Sequence, residues 1–146
     1  MNEYLSKRIT DAFPWWFRPE NPYSLMKYGF TVDGGWFSIL WDLCTQIKTI
    51  LLNRGAPLDC YEVIQVKEKF GGLRWYYDLN LLDEELKATL WKEIVPLVRE
   101  AERKSYKTCE TCGSTDNTVK TQPRPQGAWT LTKCKECFDI WVASKR

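Results

Sequence analysis

Apolar side chains recur at helical spacing in several stretches of the chain and alternate with polar ones in another. Leu5, Ile9, Ala12 and Phe13 predict a first helix over residues 3–13 that stops before Pro14. Asp33-Gly34-Gly35 opens a longer helix, Trp36 to Asn53, with Trp36, Leu40, Leu43, Cys44, Ile47, Ile50 and Leu51 on one face and Gly55 and Pro57 as its stop. Residues 84–105 carry Leu86, Leu90, Ile94, Leu97, Val98 and Ala101 on one side, and Pro96 is expected to kink or split that helix. Tyr61 to Lys69 and Leu73 to Asp78 read as strands joined at Gly71-Gly72, a two-residue hairpin signal. Residues 14–32 are punctuated by Pro14, Pro19 and Pro22 and read as a loop, unusually rich in aromatics.

Pairing across Gly71-Gly72 sets Lys69 opposite Arg74, Glu68 opposite Trp75 and Lys67 opposite Tyr76. One face then holds Val66, Glu68, Phe70, Leu73, Trp75 and Tyr77, and the other holds Lys67, Lys69, Arg74 and Tyr76. The basic set reads either as a solvated sheet face or as a cradle for an anion or phosphate with a tyrosine platform. Glu68 stands alone among apolar neighbours. It pairs with a base from elsewhere, marks the sheet edge, or serves as an acid–base group with Asp78 or Asp42. Trp15 and Trp16 cannot both point inward from an extended loop, so one of them is expected to be a contact residue, tryptophan being enriched at binding hot spots.

The chain has 146 residues, 44% hydrophobic and 27% charged, and no histidine. That balance excludes a wholly disordered chain, and the missing imidazole excludes histidine triads and histidine metal ligands. No apolar run reaches the length of a membrane span. Residues 1–8 lack the basic-then-apolar layout of a secretory signal, so a cytoplasmic setting with reduced thiols is the expectation.

Cys109, Cys112, Cys134 and Cys137 form two C-x2-C pairs separated by 21 residues. Two tight turns of this kind converge on one tetrahedral ion, and four thiolates leave no open position, so the expected cofactor is one structural Zn2+ per chain. A rubredoxin-like iron site and a disulfide framework are the competing readings. Gly113 suits the knuckle after Cys112, and a helix is expected after Cys137, over Phe138 to Ser144. Knuckle, hairpin, then a second pair at a helix start is a treble-clef-like order. Its spacing resembles GATA-type fingers, with a slightly longer intervening segment that contains Pro123-Arg124-Pro125. The other two thiols, Cys44 and Cys60, read as small buried hydrophobes.

The expected fold is therefore α+β: helices packed on a small antiparallel hairpin or sheet in residues 1–108, and a zinc ribbon in residues 109–146 packed on that body. Residues 1–80 carry nine basic and nine acidic side chains, and residues 81–108 six of each. Residues 109–146 carry six basic and four acidic, a surplus that four thiolates and a divalent ion bring to zero. A duplex-DNA binder shows a conspicuously basic domain, so duplex DNA is not the expected partner.

The phrases Gly34-Gly35-Trp36-Phe37, Val66-Lys67-Glu68-Lys69-Phe70-Gly71-Gly72-Leu73-Arg74-Trp75-Tyr76-Tyr77 and Cys109-Glu110-Thr111-Cys112-Gly113 together resemble a group of small proteins of tailed phages and bacterial prophages. That group has a K-E-K-F-G-G-L-R-x-Y core and a C-terminal four-cysteine ribbon. The likeness spans about residues 33–137 and implies an accessory phage role, inhibition of host defence included, in the host cytoplasm. The expected function is a non-catalytic binding module for a nucleotide-like or other anionic ligand, held by Lys67, Lys69, Arg74 and Tyr76 with stacking by Trp15 or Trp16. The alternatives are an inhibitor that docks on a host protein and a hydrolase acting through Glu68.

Overall fold

The computed structural model describes residues 1–125, 127 and 129–145 and is an α+β fold. In chain order come α1 (Glu3–Ala12), β1 (Phe30–Thr31), α2 (Phe37–Asn53), β2 (Tyr61–Lys69), β3 (Gly72–Leu79), α3 (Glu84–Ser105), β4 (Lys120–Pro123), β5 (Thr130–Lys133) and α4 (Lys135–Ser144). Asn2 caps α1 by accepting the Leu5 N–H at 2.8 Å, and Asp83 caps α3 by accepting the Leu86 N–H at 3.1 Å. Acidic Glu84 and Glu85 in its first turn and basic Arg103 and Lys104 in its last complement the α3 dipole. Pro96 neither splits nor ends α3. It lies on the exposed side with Lys92, whose carbonyl loses its amide partner to the proline and is left to water.

The body sheet runs β1-β2-β3, with β1 parallel and β3 antiparallel to β2. Its inner face, Tyr61, Val63, Val66, Leu73, Trp75 and Leu79, meets Leu40, Leu43, Ile47 and Leu51 of α2 and Leu90, Ile94 and Val98 of α3 in a single buried cluster. The hairpin register differs from the sequence reading. Lys69 pairs with Gly72, Lys67 with Arg74 and Val66 with Trp75, so the turn is Phe70-Gly71, with φ of 55° and 85°. Two positive φ values are what a type I′ turn requires. Gly72 is needed for another reason: a Cβ there would run into the Tyr106 ring. The slip moves each strand by one position, so the two sets of side chains keep their separate faces, except that Phe70 leaves the sheet for the turn.

The outer edge of β3 is closed by the end of α3, where Ser105 Oγ accepts from Leu73 N and Glu102 Oε2 from Trp75 N, at 2.9 and 3.0 Å. An edge covered in this way is not a template for pairing with another chain.

The aromatic loop is folded onto this body. Trp16 is completely enclosed, stacked on Phe13 at 5.3 Å and edge-on to Tyr61 at 5.1 Å, with its indole N–H given to the Leu58 carbonyl. Trp16 is therefore a core residue and not a contact residue, so of the pair the expected contact role can fall only to Trp15. Trp15 is half-buried against the core beneath Lys48. A bulge at Ile64 turns its carbonyl to the Leu25 N–H, and buried Glu62 accepts from Arg18 and Asn21, which pins the loop at both ends.

Cys44 and Cys60 are both buried, and burial pushes both thiols up from their ordinary range. Thiols so held are inert. Replacing both by Ala is expected to cost roughly 1–3 kcal/mol in urea unfolding while any bound metal is retained. Loss of bound metal from the folded double variant would show that these thiols do more than fill space.

Candidate metal centre

Cys109 and Cys112 lie on the knuckle that follows α3, Cys134 is the N-cap of α4, and Cys137 lies in its first turn. The Gly113 φ of 81° closes the knuckle, with Gly113 N donating to the Cys109 carbonyl at 2.9 Å and Cys109 N to the Ser114 carbonyl at 2.8 Å. The turn geometry aims amides at sulfur: Ser114 N reaches Cys112 Sγ, and Cys137 N reaches Cys134 Sγ, each at 3.4 Å. The β4–β5 hairpin between the two pairs completes the treble-clef-like order.

All four Sγ atoms lie within 4.8 Å of one another, so the set can hold a metal ion. Cys112 and Cys134 Sγ are 3.8 Å apart. Tetrahedral metal–sulfur bonds of about 2.3 Å set sulfurs about 3.8 Å apart, so the donors fit a four-coordinate ion. Burial opposes ionisation of Cys109, but the N–H groups of Cys112, Cys134 and Thr111 outweigh it and hold this thiol down at about 7. Cys137 is pushed well up, by burial and then by the facing sulfurs of Cys134, Cys112 and Cys109. A cluster that resists full ionisation by itself is one that a divalent cation neutralises.

The centre is bound to the body through glycines that the sequence does not mark as such. Gly35 N donates to the Glu110 carbonyl at 2.7 Å, and a Cβ on Gly35 would overlap the Cys109 and Glu110 carbonyl oxygens. Trp36 donates its indole N–H to the Thr108 carbonyl at 2.9 Å. At the hairpin tip, Thr132 Oγ1 gives a 2.5 Å bond to the Gly71 carbonyl, and a Cβ on Gly71 would come within 2.7 Å of Thr121 Cγ2. Much of the Gly-Gly signal in both motifs therefore serves as a seat for the metal unit.

Glu68 is occupied in the same junction, its Oε2 accepting from Gly71 N at 2.9 Å. It lines a polar chamber of about 360 Å³ with Asp33, Glu110, Arg124, Lys133 and Trp141. Burial, then the charges of Asp33 and Glu68, push Glu110 up to about 7 against the opposing Asp33 N–H and Lys133. The acids first considered as partners of Glu68 are elsewhere: Asp78 pairs with Glu62 at the other end of the hairpin, and Asp42 borders a separate groove on α2. A Glu68–Asp78 or Glu68–Asp42 dyad is not assembled.

Lys67, Lys69, Arg74 and Tyr76 do share one face of the hairpin. Lys67 Nζ lies 5.9 Å from the Tyr76 ring centre, and Arg74 is held by Tyr106 Oη at 3.2 Å. Among the described residues no carboxylate lies within 4 Å of these three cations. Trp15 and Trp16 do not join them, because the Val63 N–H bond to the Trp16 carbonyl places that pair near the Tyr61–Leu79 end of the hairpin. No helix among the described residues is long and apolar enough to cross a membrane. No family model matches the chain, and neither the curated proteins nor the solved structures yield a match.

Proposed function

We propose that this chain is a zinc-stabilised, non-catalytic binding module that captures a nucleotide-like or other anionic ligand on the hairpin face. The observation that carries the reading is the cluster of Lys67, Lys69 and Arg74 on one face, without a carboxylate within 4 Å among the described residues and beside Tyr76. Like charges so gathered repel one another, and an anion relieves that repulsion. Zinc is the metal we assign to the four sulfurs, since a closed four-cysteine tetrahedron is its usual structural site. The resemblance to tailed-phage and prophage proteins supports an accessory role in the host cytoplasm, counter-defence included.

Lys67→Glu/Lys69→Glu leaves Arg74 and its Tyr106 bond in place and so tests the face without touching the fold. With a nucleoside triphosphate as the probe, each lost charge-assisted contact is worth about 1.5–3 kcal/mol, so binding should weaken by roughly 100-fold or more. It should also weaken as salt rises. Unchanged affinity in the double variant would remove the anion reading.

A second reading, docking on a host protein, rests on Tyr23 and Tyr28 of the aromatic loop, which are 87% and 67% exposed. Tyrosine supplies large contact area at protein interfaces. In that case Tyr23→Ala/Tyr28→Ala abolishes inhibition of the host protein, and the lysine changes do not.

A further inference from the structure

We propose that a cleft on the metal unit, formed by Arg124, Trp129, Trp141 and Lys145, binds an unpaired nucleotide, either free or within a single strand. This site is separate from the hairpin face and does not rest on that reading.

Helix α4 has no buried residue among those described, so the side of it that carries Trp141 remains open to a cleft of about 510 Å³ between it and the β4–β5 loop. No carboxylate lines that cleft among the described residues. The acids of the metal unit are gathered elsewhere: Asp116, Glu136 and Asp139 border a different cavity beside Cys112 and Cys134, and Glu110 is buried at the junction with the body. The cleft itself thus holds two cations, Arg124 and Lys145, and no carboxylate among the described residues, while Arg124 and Trp141 also border the chamber of Asp33, Glu68 and Glu110 on their other side.

Within the cleft the groups are already ordered. Arg124 N donates to the Trp129 carbonyl at 2.8 Å, which locks the two residues together across the loop. The Arg124 guanidinium lies 5.9 Å from the Trp129 ring centre and 5.4 Å from that of Trp141, and Lys145 Nζ lies 5.6 Å from Trp141. Arg124 Nε is shielded from solvent, yet it has no hydrogen-bond partner among the described residues. A shielded donor without an acceptor is costly, and an incoming anion satisfies it.

Trp129 is 66% exposed, which leaves ring surface free for a planar partner. A base stacked on this indole, with its phosphate on Arg124 and Lys145, uses every one of these features. An acidic peptide would use the cations but leave the exposed ring without a flat partner. A duplex hides the faces of its bases, so the base must be unpaired.

The test is fluorescence anisotropy of a labelled oligothymidylate on the zinc-loaded full chain, with thymidine monophosphate, duplex DNA and inorganic polyphosphate as competitors. Binding that weakens with salt is expected, with Trp129→Ala weakening it about 5- to 100-fold and Trp129→Phe restoring most of it. Arg124→Gln should weaken both the oligomer and the monophosphate, and should do so equally in a Lys67→Glu/Lys69→Glu background, which removes the hairpin face as a second site for anions. Zinc content verifies that each variant retains its fold. Displacement of the oligomer by the monophosphate at matching affinity would identify a free nucleotide, and tighter binding of the oligomer would identify a strand; both support the site. No binding at low salt would overturn the proposal. So would equal competition by polyphosphate or duplex, loss of binding in the lysine variant alone, or an unchanged Trp129→Ala.

Discussion

A strong chelator at neutral pH is expected to unfold residues 109–146 while the body remains folded. The two parts differ in what holds them. The body has a buried cluster from Ile9 to Ala101 that includes Trp16, Trp36 and Tyr61. The metal unit buries little apolar surface besides Leu131 and the cysteines themselves, and α4 buries nothing among its described residues. Metal binding to such sites contributes on the order of 10 kcal/mol of folding free energy, far more than this small core can replace. Elemental analysis should find one zinc per chain. After chelation, amide exchange protection should vanish from β4, β5 and α4 and persist in β2, β3 and the middle of α3. Cys134→Ala should reproduce the chelated state, since it removes both a ligand and the N-cap of α4. Acid should do the same, because protons compete with the metal for sulfur. A protein without metal that keeps full protection in residues 130–144 would rule out the structural role assigned to the four sulfurs.

The features legible in the sequence were those whose cause is local. The heptad-like stripe from Leu40 to Leu51 is a helix face wherever it lies, and C-x2-C spacing brings sulfurs together whatever surrounds them. Less legible were features decided by a partner distant in the chain. Phe70-Gly71 rather than Gly71-Gly72 forms the turn because Tyr106, beyond the next helix, covers Gly72. Trp16 is core because Tyr61 and the Leu58 carbonyl receive it. The two-residue β1 has too little pattern to be seen, and its parallel pairing at Phe30 and Val66 spans a whole helix. Glu68 stands out among apolar neighbours, yet its work is to accept the Gly71 N–H at the seat of the metal unit.

Gly35→Ala is the substitution expected to uncouple that seat. The position does not have a left-handed backbone, so alanine is conformationally allowed there and the effect is one of space alone. The added Cβ would overlap the Cys109 and Glu110 carbonyl oxygens. Both are backbone atoms, and Glu110 is also tied to β5 by its N–H bond to the Thr132 carbonyl at 2.9 Å. Neither can swing aside as a side chain can, so relief requires the whole knuckle to move away from Gly35. That movement stretches the Gly35–Glu110 bond and the Asp33 N–H bond to Glu110 Oε2, which is 3.1 Å in the native fold. The expected loss is about 3 kcal/mol, the upper part of the range for overpacking. Zinc should stay bound, because the four ligands are set by the two local turns and not by the docking surface. Gly34→Ala is the matched control. Its Cβ would meet Leu5 Cδ1 at 3.0 Å, the end of a flexible side chain, and should cost under about 1 kcal/mol. Urea unfolding of the zinc-loaded pair, with exchange of the Gly35 and Asp33 amides as the local readout, separates the two. Equal stability of the variants would mean that the knuckle is not seated on Gly35, and a Gly35→Ala protein that releases its zinc would mean that docking, rather than ligand spacing, holds the metal.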